Sequence, residues 1–344
     1  MAPNEAAPSR KRPVGVKAVA ERAHVAISSV SRVLTDHPAV SPSMRERVLA
    51  AANELGYEPD LLAQSLRRGE TLAIGFVVRD ISNPILAELA LGAETELSEA
   101  GYSMLLANSH GDANRDAMGI NLLRRRRVDG LLLSLSDETY EPTLAEIKQV
   151  DSPIVLIDRQ LAGDSAIAAV LSDHASGVRA AVSRMIELGH RRIGLVTGEG
   201  RIFPMRVITR VMEQMCRDAG VELIIESGEL LADDGAAVIH RMFSRATTPT
   251  AILTSSNQIL VGALHALREL GLRIPDDVSL VTFDDIALLD LLDPPIGVIS
   301  RQPFKLGRHC ASVLLGQLRD GADALTVTVP TTFDPRGSLA APPA

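Results

Sequence analysis

Short, continuously apolar runs alternate with amphipathic helical patterns through most of the chain, and this alternation restricts the fold more than any other feature. Apolar runs bounded by turns are typical of strands buried on both faces, and the helices between them cover those faces. The pattern therefore predicts α/β layers with parallel sheets. Seven such strands are predicted, at residues 72–78, 102–108, 130–135, 153–158, 193–198, 251–256 and 278–285.

The length of the chain and the number of strands favour two lobes over one. Seven strands over about 260 residues are accommodated better by two α/β lobes, and a chain of 344 residues has room for a small module besides. Loops at the carboxyl ends of parallel strands face a crevice in which ligands bind. The sequence therefore predicts a ligand cleft in the larger part of the chain.

The N-terminal part has the pattern of a helix-turn-helix. VKAVAERA and ISSVSRVL are short helical patterns separated by HVA, and their apolar residues recur at the spacing of packed helices. A third helix is predicted after Ser41 or Ser43, either of which is a candidate N-cap, and it ends at Gly56. The second helix of such a module can enter the major groove of DNA.

The charge distribution agrees with a DNA-binding N-terminus. Residues 1–35 hold six basic and two acidic residues, a net charge of +4, which leaves −12 for the remainder of a chain whose total charge is −8. A basic head meets phosphates while an acidic body stays off the duplex.

Several classes of protein are disfavoured. Cys216 and Cys310 stand far apart without a CxxC pattern, which disfavours a zinc finger or a disulfide framework and predicts ordinary buried thiols. No run is long enough to cross a membrane and no apolar stretch follows the basic N-terminus, so we expect a cytoplasmic protein. The loop 197–200 has Phe203 where a dinucleotide loop requires glycine, and catalytic motifs are missing. We therefore expect no enzyme, no cofactor and no metal.

The order and spacing of many motifs resemble the LacI/GalR family of bacterial transcriptional regulators, over nearly the whole chain. The motifs are SVSRVL, ERVLAAANELGYEP and L-A-x-S-L within residues 16–69, then DISNPI, RRVDGLLL, IELGHRRIGLVTG, LRELGLRIPDDVSLVTFDDI and RGS. The resemblance implies a small all-α helix-turn-helix head and a two-lobed α/β effector domain like that of periplasmic binding proteins. The expected boundaries are a tail at 1–13, the head at 14–58, a hinge helix at 59–70, the effector domain at 71–338 (one lobe from 71–170 and 300–329, the other from 171–299 and 330–338) and a tail at 339–344.

The resemblance assigns DNA contacts to the second helix and the hinge. Ile27, Ser28 and Arg32 would meet base edges and backbone, and an arginine can donate to guanine with two parallel hydrogen bonds. Ser29 and Ser31 would donate to phosphates, unless Ser31 simply faces solvent. Leu66 would wedge into the minor groove at the operator centre, the alternative being a core leucine of a linker helix.

Three positions depart from the family pattern in the head. The turn glycine is His24, the serine cap of the second helix is Ala26, and an aspartate of the first helix is Ala18. A missing cap costs about 1 kcal/mol. The operator preference of relatives therefore does not transfer to this chain.

The effector residues are implied by position in the family pattern. They would grip a hydroxyl-rich or anionic ligand in the cleft, although each could instead be a loop cap. Because FPMRVITRV replaces the usual Arg-x-x-Gly, Arg210 is a rival to Arg206. The implied residues are Asp80, Asn83, Asp158, Phe203, Arg206, Ser256, Asn257 and Asp284.

The sequence as a whole predicts a repressor whose operator affinity is controlled by a small-molecule effector, with a sugar-like ligand as one candidate. The expected partners are double-stranded DNA with an inverted repeat, the effector and a second copy of the chain, and no membrane. The alternatives are a stand-alone sugar-binding receptor and a DNA-binding regulator controlled by a protein corepressor. An α/β oxidoreductase is contradicted by the incomplete glycine loop.

Overall fold

The structure, a computed structural model, describes residues 14–34, 37–57, 70–161 and 167–343. The chain divides into two compact units, residues 1–71 and 72–344. Apart from Glu70, the hinge predicted at 59–70, with Leu66, lies outside the described residues, as does the tail predicted at 1–13.

Three short helices form the first unit: α1 (Val16–Ala23), α2 (Ile27–Leu34) and α3 (Pro42–Leu55). One apolar face of each helix contributes to a single small core, as the spacing of apolar residues predicts. The buried core residues are Val19, Ala20, Ala23, Val30, Val33, Val48, Ala51 and Ala52.

The ends of these helices follow local rules. His24 ends α1 in the left-handed conformation with φ of 54°, the backbone for which glycine is the usual residue. Ser41 rather than Ser43 caps α3, since the Ser41 hydroxyl accepts from the Met44 N–H at 3.4 Å. Gly56 ends α3 with φ of 61°. The turn between α1 and α2 thus forms around a histidine.

A parallel six-stranded sheet is the centre of the N-terminal lobe of the second unit. Its strand order is β11-β5-β4-β3-β1-β2. Helices α4 and α11 cover one face, and α5 and α6 cover the other. The elements are β1 (Ala73–Val78), α4 (Pro84–Glu99), β2 (Ser103–Asn108), α5 (Ala113–Arg125), β3 (Gly130–Ser134), α6 (Glu141–Ile147), β4 (Ile154–Ile157), β5 (Ala168–Ser172), α11 (Pro303–Asp320) and β11 (Thr326–Val329).

The C-terminal lobe repeats this plan with the strand order β12-β10-β9-β8-β6-β7, in which only β12 runs antiparallel to its neighbour among the described strands. Helices α7 and α8 cover one face and α9 and α10 the other. The elements are α7 (His174–Glu187), β6 (Arg192–Gly198), α8 (Phe203–Asp218), β7 (Glu222–Gly228), α9 (Ala232–Phe243), β8 (Ala251–Thr254), α10 (Asn257–Glu269), β9 (Ser279–Phe283), a 3₁₀ turn (Ala287–Leu291), β10 (Gly297–Ser300) and β12 (Thr332–Asp334).

The predicted fold class is confirmed, and the strand list is extended. All seven predicted strands are present, and the described residues contain five more, β5, β7, β10, β11 and β12. The chain crosses between the lobes three times, after β5, β10 and β11. The crossings are tied together where the Asp173 N–H donates to the Val329 carbonyl and the Thr331 hydroxyl donates to the Asp173 carbonyl, at 2.8 and 2.7 Å.

Both cysteines of the second unit are buried free thiols, as the sequence predicts. Burial raises the pKa of the Cys216 thiol to about 11. The predicted tail starts at residue 339, yet Leu339 packs against the C-terminal lobe and the Ala340 carbonyl accepts from His190 Nε2 at 2.9 Å. Within the described ranges no helix is long and apolar enough to span a bilayer.

Candidate functional site

Helix α2 presents a polar surface that a major groove could accept. Val30 and Val33 face the core, which turns Ile27, Ser28 and Arg32 outward. The side chain of Ile27 is 49% exposed, a large value for a residue of this size. Ser29 and Ser31 lie at the border and are half-buried. The structure thus places these five residues on a helix of the required kind, and their contacts with DNA stay predictions.

The second candidate site is a cavity of about 60 Å³ between the two lobes. It lies at the carboxyl ends of strands from both sheets, where ligands bind in open α/β sheets. Four of the predicted effector residues line it: Asn83, Asp158, Ser256 and Asp284. The other polar residues of the lining are Arg79, Ser134, Arg159, His174, Ser255, Gln258 and Arg301.

Two aspartates face each other across the cavity from equivalent places in the lobes. Asp158 directly follows β4 and Asp284 directly follows β9, and their φ angles are 52° and 71°. The left-handed backbone costs free energy for any residue but glycine, although aspartate tolerates it better than most. Unusual backbone held by its surroundings is frequent at functional sites. Both carboxylates are nearly inaccessible to solvent.

Arg301 bridges the two aspartates. Its Nη1 donates to Asp158 Oδ2 at 2.5 Å, while Nε and Nη2 donate to the two oxygens of Asp284 at 2.7 and 3.2 Å. Arg301 follows β10 at the second crossing between lobes. A single guanidinium therefore joins an acid of the N-terminal lobe to an acid of the C-terminal lobe.

Asp158 has further partners. The Ser172 N–H donates to Asp158 Oδ1 at 2.8 Å, and His174 Nε2 lies 3.0 Å from both carboxylate oxygens. Burial alone would raise the pKa of this carboxyl, but His174, Arg301 and the Ser172 amide outweigh it and hold the pKa well below its usual range. Asp158 is therefore ionised at neutral pH.

His174 is packed between aromatic rings and the acid. Its ring centroid lies 5.5 Å from that of Phe283 and 6.4 Å from that of Phe203. Its Nδ1 is buried and has no hydrogen-bond partner among the described residues. One ring nitrogen thus remains available for a ligand or a water.

Other polar pairs also connect the lobes at the cavity. Asn83 and Asn257 exchange amide hydrogen bonds of 3.2 and 3.1 Å, and the Asn83 side chain also caps α4. Gln258 donates to Asp80 at 2.8 Å. Asn83 and Gln258 line the cavity, whereas their partners Asn257 and Asp80, both predicted effector residues, lie beside it. They hold the lobes together in this conformation.

The two rival arginines of α8 are placed differently. Arg206 donates to Glu138 at 2.5 Å across the lobes, and Glu138 also accepts from the Phe203 N–H at 2.7 Å. Arg210 is exposed and makes no hydrogen bond or ion pair within the described part of the chain. Arg206 is therefore the arginine nearer the cleft, although neither arginine nor Phe203 lines the cavity itself.

Comparison with known proteins finds similarity in both units of the chain. Residues 16–60 match the family described as bacterial regulatory proteins, lacI family, and residues 182–339 match the periplasmic binding protein-like domain. The chain is 32% identical over 313 residues to the ribose operon repressor of Haemophilus influenzae, covering 89% of this chain and 92% of the relative. The chain belongs to the lacI family of bacterial regulatory proteins.

The similarity to further relatives covers both units of this lacI family member. It is 30% identical over 308 residues to the HTH-type transcriptional repressor PurR of Haemophilus influenzae, which covers 88% of this chain and 90% of the relative. A crystal structure of the lac repressor dimer bound to operator and the anti-inducer ONPF has a TM-score of 0.85 and 26% identity. That similarity covers 96% of this chain and 100% of the other.

Residue patterns alone missed several members of the cleft in this lacI family protein. Arg79 and Arg159 each directly follow a predicted strand, where ligands bind in open α/β sheets, but the family pattern pointed only to their neighbours Asp80 and Asp158. Arg301 and His174 lie at crossings between lobes, next to strands that were not predicted. Glu138 belongs to none of the motifs that point to a ligand site.

Proposed function

We propose that this protein is a DNA-binding transcriptional repressor whose operator affinity depends on a small hydroxyl-rich ligand in the interlobe cleft. The observation that carries the proposal is the composition of the cavity, to which both lobes contribute carboxylates, amides and hydroxyls. Such groups fix the orientation of a polar ligand. The names of the relatives, a ribose operon repressor and the HTH-type transcriptional repressor PurR, support the same function.

Ligand entry requires the lobes to separate. The present cavity of about 60 Å³ is far smaller than the several hundred Å³ typical of ligand pockets. A ligand must therefore replace contacts such as the Arg301 bridge and the Asn83–Asn257 pair. The arrangement of the lobes then changes with occupancy, which is the requirement for a ligand-controlled switch.

A two-fold dimer is part of the proposal. Exposed apolar side chains lie on α4, β2 and α5 of the N-terminal lobe and on α10 and the 3₁₀ turn of the C-terminal lobe, and we propose that the dimer interface covers part of this surface. A dimer would present two α2 helices to an inverted repeat. The side chains are Leu91, Leu105, Leu106, Met118, Leu122, Val261, Leu288 and Leu291.

The remaining elements of the proposal follow from DNA binding. A repressor acts where the chromosome is, so we place the protein in the cytoplasm. The relatives are named repressors rather than enzymes, and we propose no catalytic activity. The cavity residues are assigned to binding only.

The test is selection of operators from a random double-stranded DNA library by the full-length protein. We expect an enriched palindrome, bound much more weakly by Leu66→Ala and with relaxed preference at one base position for Arg32→Ala. Arg217→Ala, a surface variant on α8 of the second unit, is the matched control and should select the same sequence.

Two outcomes count against the proposal. Failure to enrich any sequence, with binding that depends only on salt, would remove the operator function. An operator whose binding responds to no small molecule would favour the alternative in which a protein corepressor controls the head.

A further inference from the structure

Arg79 is a buried cation without a partner at the ligand cavity. It follows β1, is 9% exposed and lines the interlobe cavity. Its guanidinium makes no hydrogen bond and no ion pair with any described residue. Buried arginine is almost always paired, because an uncompensated charge in the interior is costly. Burial accordingly lowers the pKa of Arg79 below its ordinary value.

Arg159 is a second cation at the same cavity that lacks a carboxylate contact. It is 5% exposed, and its Nε and Nη1 donate to the carbonyls of Leu135 and Asp158 at 2.6 and 2.8 Å. Burial lowers the pKa of Arg159 to about 10, and the charge of Arg79 adds to that decrease. The two guanidinium groups therefore repel each other across a cavity that they share.

The acids around the cavity are engaged elsewhere. The carboxylates of Asp158 and Asp284 bind Arg301, and Glu138 binds Arg206. Asp116 lies within electrostatic range of Arg79, but it is fully buried, and burial raises its pKa, which weakens it as a countercharge. Asp80 and Glu229 also act on Arg79 at a distance, without an ion pair. Countercharge in contact with the two guanidinium groups is missing from the described protein.

We propose that the effector is an anionic polyol, such as a sugar phosphate or a sugar acid, whose anionic group binds Arg79 and Arg159. This inference rests on the proposed function, because it names the ligand class of the same cleft. Guanidinium groups bind phosphate and carboxylate through parallel charge-assisted hydrogen bonds. The hydroxyls of the ligand would lie toward Asn83, Asp158 and Asp284.

The surroundings of Arg79 leave room for such a group. Arg79 also lines a second cavity of about 60 Å³, which shares Ile202 and Leu230 with the first. Arg201 lines it too, together with the acids Asp137, Glu199 and Glu229, of which Asp137 accepts from Thr139 and Glu199 pairs with Arg201. Gly111 lies against the guanidinium, and a Cβ at that position would be 3.1 Å from Arg79 Nη2. Arg79 thus lies at the junction of two small cavities that would merge as the lobes separate. The anionic end of a ligand would occupy this junction.

The test compares neutral sugars with their anionic derivatives on the full-length protein, by thermal shift and calorimetry. The probes are ribose, ribose 5-phosphate and ribonate, then glucose, glucose 6-phosphate and gluconate, with inorganic phosphate alone. We expect binding by at least one anionic member and much weaker binding by its neutral parent. The phosphate and carboxylate arms distinguish the two kinds of anionic group.

The variant Arg79→Met keeps the length of the side chain and removes its charge. Hydrogen bonds to a charged group contribute about 1.5–3 kcal/mol, so the anionic ligand should bind roughly 10- to 100-fold more weakly. Because the arginine is unpaired without ligand, the unliganded variant should melt no lower than the wild type. Arg217→Met, an exposed arginine on α8, is the control and should change neither quantity.

Three results would overturn the inference: binding of neutral sugars only, binding of no anionic probe, or anion binding that Arg79→Met leaves intact. A marked fall in the melting temperature of the unliganded variant would show instead that Arg79 is structural. The proposed function has a separate readout, since a neutral sugar that releases operator DNA would refute the anionic ligand and leave the repressor intact. Binding of an anionic probe by a protein that selects no operator would support the anionic ligand and refute the repressor function.

Discussion

Replacement of Arg301 by methionine tests whether the bridge between the lobes is a buried ion pair. The substitution keeps an unbranched side chain of similar length and removes all three hydrogen bonds to Asp158 and Asp284. The side chains of the two acids are only 3% and 5% exposed. Each would lose a cationic partner while remaining in a nearly dry site.

Most of the expected loss of stability comes from Asp284, which would keep no side-chain donor among the described residues. Asp158 keeps the Ser172 N–H and His174, whereas Arg301 is the only side chain that donates to Asp284 within the described residues. Removal of one partner from a buried ion pair destabilises proteins by about 3–5 kcal/mol. Because Asp158 keeps two other hydrogen-bond partners, we expect a loss of unfolding free energy near the lower end, about 3 kcal/mol. For a domain of this size, that corresponds to a midpoint of thermal unfolding lower by roughly 5–10 °C.

Calorimetric unfolding of the purified variants at neutral pH measures this loss. The double variant Arg301→Met/Asp284→Asn is the internal control, because asparagine removes the orphaned charge and tolerates the left-handed backbone at φ of 71°. It should recover most of the loss, as expected for coupled neighbours.

The reasoning would be refuted by a loss below about 1 kcal/mol for the single variant, a value typical of exposed ion pairs. Such a result would mean that water reaches both carboxylates. A double variant no more stable than the single one would show that the arginine acts through packing instead of charge.

Three further predictions concern stability. Ser41→Ala should destabilise the head by about 1 kcal/mol in urea unfolding because it removes the cap of α3, whereas Ser43→Ala should be near neutral; equal effects would contradict the assigned cap. Gly307→Ala should cost about 3 kcal/mol, because its Cβ would lie 2.0 Å from a backbone oxygen of α4, while Gly316→Ala on the same helix should be tolerated, since the nearest atom lies 4.0 Å away. Burial lowers the pKa of His190 in the folded state, so the unfolded chain binds more protons at mildly acidic pH. The free energy of unfolding should therefore fall as the pH decreases below about 6.5, the usual pKa of histidine. In urea titrations at several pH values, His190→Gln should make the free energy of unfolding depend less on pH.

Six of the seven strands predicted from the sequence are central in their sheets, and β2 lies at an edge. Runs such as 130–135 and 278–285 are buried on both faces and therefore uniformly apolar. β7 and β12 are the edges of the C-terminal sheet and have half-exposed, mixed residues, and β11 reads TVTV at an edge of the N-terminal sheet. Apolar runs do not reveal these three mixed edge strands. β5 and β10 are central and largely buried, but they are only five and four residues long and were not predicted.

The candidate site was predictable where strand ends and family motifs coincide. Asn83, Asp158, Ser256 and Asp284 follow strands or begin helices, and all four line the cavity. Arg301 could not be assigned because its role depends on two acids that are 143 and 17 residues away in sequence. A partnership of that kind is created by the crossing of the chain between lobes and has no local signature.

The contacts that close the lobes are also the contacts that a ligand needs. Arg301 occupies the carboxylates that would accept sugar hydroxyls, and the amides of Asn83 and Asn257 satisfy each other. A ligand in the cleft therefore exchanges protein–protein hydrogen bonds for protein–ligand ones, and it cannot bind open and closed lobes equally. A ligand shifts an equilibrium only through such a difference in affinity. Allosteric coupling typically amounts to about 1–3 kcal/mol, so a difference no larger than one of these buried bridges is sufficient to change operator affinity 5- to 150-fold.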